Sequence, residues 1–99
     1  MRVLIAEDEY CSRLNLIRQV KECIPFAPEE ILEAENGKEA WEIFLEKRPE
    51  LVLTDIRMPV LTGLELTEMI YKSQIPANVI IVSGFAEFEY AQKAWVTGP

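Results

Sequence analysis

Four short apolar runs recur at a spacing of about 25 residues, each followed by a segment of helical periodicity, and this rhythm constrains the chain more than any other feature. The runs are Val3-Leu4-Ile5-Ala6, Ile31-Leu32-Glu33-Ala34, Leu51-Val52-Leu53-Thr54 and Val79-Ile80-Ile81-Val82. Uninterrupted apolar stretches of this length mark strands buried on both faces. The second, broken by Glu33, reads as weaker and more exposed. Strands alternating with helices give a parallel sheet with helices on both faces and right-handed crossovers.

The intervening segments carry helix signals. Cys11, Leu14, Ile17, Val20 and Ile24 recur at helical spacing, and Pro25 and Pro28 end that helix. Asn36 with Glu39 has the pattern of a capping box and opens a helix through Ala40, Ile43 and Phe44. Thr62 with Glu65 repeats it ahead of Leu66, Met69 and Ile70. Phe88, Ala91, Ala94 and Trp95 stripe a fourth helix.

Ninety-nine residues suit one domain, and 49% apolar residues suffice for a core. A net charge of −7 argues against a basic face for nucleic-acid phosphates. The apolar runs are strand-length, so no membrane span is expected, and Arg2 leading straight into a strand is not a signal peptide. A cytoplasmic protein is expected. Cys11 and Cys23 fall on one helix about 18 Å apart, beyond disulfide reach. The sequence contains no histidine, which removes histidine-based triads and metal sites.

Chemistry must therefore run on other groups, and the acids are placed for it. Glu7, Asp8 and Glu9 end the first run, and Asp55 ends the third. In an open parallel sheet, ligands bind beyond the carboxyl ends of the strands. Taken alone, Glu7-Asp8 reads equally well as a solvated helix start, and a lone Asp after a strand is usually a turn or cap residue. Thr62 already caps the following helix, which frees Asp55. Carboxylates meeting from two strands point to a divalent cation beside a nucleophilic carboxylate. Ser83-Gly84 after the fourth run adds a hydroxyl and a closely approachable backbone at the same edge. Neither GxGxxG after the first strand nor GxxxxGK[ST] occurs, so nucleotide binding has little support.

Taken in order, Val3 to Glu9, Leu51 to Pro59, Gly63-Leu64-Glu65-Leu66 and Val79 to Gly84 make the chain resemble the receiver domain of two-component response regulators. The run Glu87 to Ala94 resembles the subgroup fused to AraC-type DNA-binding domains. The resemblance implies a flavodoxin-like doubly wound sheet of order 2-1-3-4. It implies that Asp55 is the phosphoacceptor, taking a phosphoryl group from a sensor histidine kinase. It assigns Mg²⁺ to Asp8, to Asp55, to Glu7 through water and to the backbone carbonyl of Arg57. Ser83 and Gly84 match the phosphate-binding switch, and Arg57 and Phe85 the positions that tune phosphoryl lifetime. Such a module is an acceptor rather than a turnover enzyme.

Three departures accompany the likeness. Glu7 stands where Asp is commoner, and Ala86 where the subgroup often has an acidic cap. The family's fifth strand and helix, with the lysine that pairs with the phosphoryl group, have no counterpart, and Lys93 is not an equivalent. The chain thus reads as a receiver over residues 1–99, C-terminally truncated and without an output domain. A bare fourth-strand edge is expected to promote self-association. Two other functions compete: a non-catalytic interaction module that does not hold phosphate, and an aspartyl phosphohydrolase. The second is disfavoured because Arg57 stands two residues after Asp55, where that class needs an acid.

Overall fold

Four parallel strands form one sheet in the order β2-β1-β3-β4. In chain order the elements are β1 (Arg2–Ala6), α1 (Tyr10–Cys23), β2 (Glu30–Ala34), α2 (Gly37–Lys47), β3 (Leu51–Asp55), α3 (Gly63–Ser73) and β4 (Asn78–Val82). The computed structural model describes residues 1–23 and 28–82. The expected fourth helix, and with it Ser83, Gly84 and Phe85, lies outside the described residues.

The period-2 geometry of a strand sorts its side chains onto two faces. Val3 and Ile5 of β1 join Leu53 of β3 and Val82 of β4 against Leu16 and Val20 of α1. Leu4, Ala6, Ala34 and Val52 face the other way, onto Ala40 and Phe44 of α2 and Leu66 and Ile70 of α3. Helices thus cover both faces, and Trp41 stacks on Phe44 with ring centroids 5.9 Å apart. Burying a side chain such as Leu4 or Phe44 contributes about 1.5–3 kcal/mol, so this two-sided core carries the fold.

The first helix is phased differently from its sequence reading. Cys11 is exposed and Leu14 largely so, whereas Arg13, Leu16 and Val20 are buried. Asn36 caps α2 by accepting from the Glu39 amide, 2.8 Å. The Glu39 carboxylate, however, accepts from the Glu35 amide instead of closing a box on Asn36. The Thr62–Glu65 box is complete in both directions. Strand β4 pairs only with β3 among the described residues, and its central Val79, Ile80 and Ile81 are only half-buried. No described helix is long and apolar enough to cross a membrane.

Candidate functional site

Parallel pairing sets Ala6 opposite Thr54, so β1 and β3 end at the same edge of the sheet. Glu7 and Asp8 leave β1 there, and Asp55 is the last residue of β3. Their carboxylate oxygens lie within 4.8 Å of one another. Burial is graded across the three: Glu7 is buried, Asp55 half-buried and Asp8 exposed. Oxygen donors of this hardness and number suit Mg²⁺, which takes one or two carboxylates and retains water.

The backbone fixes the set. The Glu7 amide donates to the Ala34 carbonyl of β2 at 3.0 Å, and the Glu9 amide donates to Glu7 Oε1 at 3.1 Å. The Ile56 amide donates to Asp55 Oδ1 at 2.8 Å. Behind Asp55 the start of α3 comes very close. The Gly63 amide donates to the Ile56 carbonyl, 2.8 Å, and a Cβ at Gly63 would lie 1.9 Å from the Asp55 carbonyl oxygen. Between them the β3–α3 loop makes a γ-turn: the Leu61 amide donates to the Pro59 carbonyl at 2.8 Å around Val60, whose φ is 73°. The Leu61 carbonyl then seats against Gly37, where a Cβ would meet it at 2.1 Å.

Crowding shows in the electrostatics. Burial pushes the Glu7 carboxyl up to about 7, against the pull of the Glu9 amide, with Asp55 and Asp8 adding repulsion. Asp55 is also raised, first by burial and further by Asp8, while the Ile56 amide resists the rise. The cluster therefore keeps a proton near neutrality, and a divalent cation would replace it.

Not every acid at this edge joins. Glu9 accepts from the Cys11 and Ser12 amides and from the Ser12 hydroxyl, at 3.2, 2.9 and 2.7 Å. It caps α1, and Ser12 holds its carboxyl below the usual range. Arg57 is exposed, with its backbone amide against the Asp55 carboxylate. The sequence reading missed Arg13. It is only 6% exposed and donates to the Glu7 carbonyl at 2.8 Å. Its place at i−3 from Leu16 on the buried face of α1 was the available signal.

Comparison with known proteins bears on this arrangement. The family model of the response regulator receiver domain matches residues 3–98. The chain is a response-regulator receiver domain. This receiver is 36% identical over 97 residues to YesN, an uncharacterized transcriptional regulatory protein of Bacillus subtilis, covering 98% of the chain and 26% of YesN. It is 38% identical over 92 residues to the transcriptional regulatory protein HptR of Staphylococcus aureus, covering 90% of the chain and 34% of HptR. A two component transcriptional regulator AraC from Clostridium phytofermentans superimposes with a TM-score of 0.74 at 35% identity, over 91% of the receiver and 72% of that chain. The receiver thus spans about a quarter to a third of the length of these curated relatives.

Proposed function

We propose that this receiver accepts a phosphoryl group on Asp55 from the phosphohistidine of a sensor histidine kinase, in a Mg²⁺-dependent reaction. The observation that carries the reading is the convergence of Glu7, Asp8 and Asp55 within 4.8 Å at the carboxyl edge of the sheet. Asp8 and Asp55 would hold the cation directly, Glu7 through water, and the Arg57 carbonyl would complete the protein's share. Bound there, the ion supplies charge neutralisation for an anionic nucleophile facing an anionic phosphoryl group.

The chain's residues do the rest. The Ile56 amide and the strand register orient Asp55. One carboxylate oxygen forms a bond to phosphorus as the phosphorus–nitrogen bond of the donor breaks, and the electron pair of that bond returns to the imidazole. The product is an acyl phosphate at Asp55, which water later hydrolyses back to carboxylate and phosphate. Ser83 and Gly84 are assigned to the phosphoryl oxygens, and Arg57 and Phe85 to the lifetime of the adduct. The added charge is the signal. Residues 1–99 act in this reading as an acceptor in the cytoplasm, with no turnover of a separate substrate.

Intact-mass measurement after incubation with acetyl phosphate and Mg²⁺ tests the reading. A phosphoryl adduct is expected that disappears in Asp55→Asn and with a chelator. No adduct in the folded chain would overturn it in favour of a non-catalytic interaction module.

A further inference from the structure

Arg13 is a buried cation that the phosphoacceptor reading leaves without a task. Its side chain is 7% exposed although it sits on the fourth residue of a surface helix. Burying a guanidinium is unfavourable unless its donors are met, and here they are met in one direction. Nη1 donates to the Glu7 backbone carbonyl at 2.8 Å. Nε donates to Glu33 Oε1 at 3.0 Å, and Nη2 lies 3.8 Å from Glu35 Oε1. The Tyr10 ring lies under the guanidinium, 5.4 Å from its centre.

The partner that matters is the carbonyl. The peptide joining Glu7 to Asp8 carries its oxygen to Arg13, while the Glu7 amide on the other side is bound to Ala34. Glu7 is therefore anchored through both of its backbone polar groups, and the plane that leads into Asp8 is fixed in orientation. The guanidinium engages the carbonyl and leaves the Glu7 carboxylate to the Glu9 amide and the cluster. Its planar fork meets the carbonyl and Glu33 with donors fixed in one plane, a geometry that the rotatable donors of an ammonium do not preset. Glu33, on β2, ties the clamp to the sheet.

We propose that Arg13 is a positioning residue for the cation site: it holds the Glu7–Asp8 peptide so that both carboxylates face Asp55. The inference rests on the reading of Glu7, Asp8 and Asp55 as a Mg²⁺ site. Partners of this kind behind metal ligands typically alter affinity by about 10–100-fold.

Calorimetric titration of the 99-residue chain with Mg²⁺ alone, beside thermal melts, tests it. Arg13→Met is expected to weaken Mg²⁺ binding about tenfold, Arg13→Lys to recover part of the loss, and Glu35→Gln, whose contact is long and exposed, to change nothing. Glu33→Ala, which removes the acceptor at an exposed position, should weaken binding in the same direction, and it decides alone should Arg13→Met not fold. A folded Arg13→Met that melts lower yet binds Mg²⁺ like the parent overturns the proposal, as does an unchanged Glu33→Ala. A parent chain that itself binds no Mg²⁺ overturns the site reading, and this inference with it.

Discussion

Among the described residues, Val60 is the one whose backbone is least at ease. A φ of 73° is a region that β-branched side chains rarely enter, and the γ-turn it centres is the rare, strained sense. Such a residue stores about 1–3 kcal/mol. The side chain is 78% exposed, so it returns little through packing. What holds it is the loop on either side: Leu61 wedged against Gly37, and Gly63 against Asp55. Val60→Gly should relieve the strain, less the entropy that glycine adds to the unfolded chain. A net gain of about 1 kcal/mol is expected, read as a higher urea midpoint with an unchanged slope. A lower midpoint would refute the strain.

At the scale of elements, the decisive junction is where α3 meets the end of β3. Gly63→Ala places a methyl group on the Asp55 carbonyl oxygen, and neither backbone can yield without moving the helix or the carboxylate. Destabilisation of about 2 kcal/mol is expected from overpacking of this kind. Because the displaced atom belongs to Asp55, the rate of adduct formation with acetyl phosphate should fall as well. A melt and a mass time course report the two effects separately, and a normal rate would show that Asp55 does not depend on this contact. Most of this architecture was legible: the four apolar runs, the Thr62 cap and the Asp55 position are local signals. Three features were not. Arg13 occupies a core position on α1, so a reading that counts only apolar residues shifts the helix toward Cys11 and Leu14. The Glu39 carboxylate had two amides within reach, Asn36 and Glu35, and only the fold chooses. Glu9 looked like a member of the acidic cluster until the start of α1 gave it three donors.

For the whole molecule, stability, acidity and Mg²⁺ are linked. The folded Glu7 carboxyl titrates near 7, against an ordinary value of 4.5. Between those values the native state binds more protons than the unfolded chain, so the contribution of Glu7 to stability is fully present below about pH 4.5 and is lost as pH rises through about 7. The raised Asp55 acts with the same sign. Glu9, Glu50 and Glu65 are held below their ordinary range, so their opposite contribution is lost only as pH falls into the acid, beneath that window. In a chelator, Tm should therefore fall from pH 5 to pH 8, assisted by self-repulsion at a net charge of −7. Saturating Mg²⁺ competes with the proton and should raise Tm most at the alkaline end. Melting curves across pH with and without the ion check this, and a Mg²⁺ effect that does not grow with pH would separate the cation from the buried carboxyl.

The hydrogen bond from the Ile56 amide also breaks the symmetry of the Asp55 carboxylate. A freely turning carboxylate offers two equal oxygens; here the Ile56 amide singles out Oδ1. Its two oxygens are therefore no longer interchangeable to an incoming group.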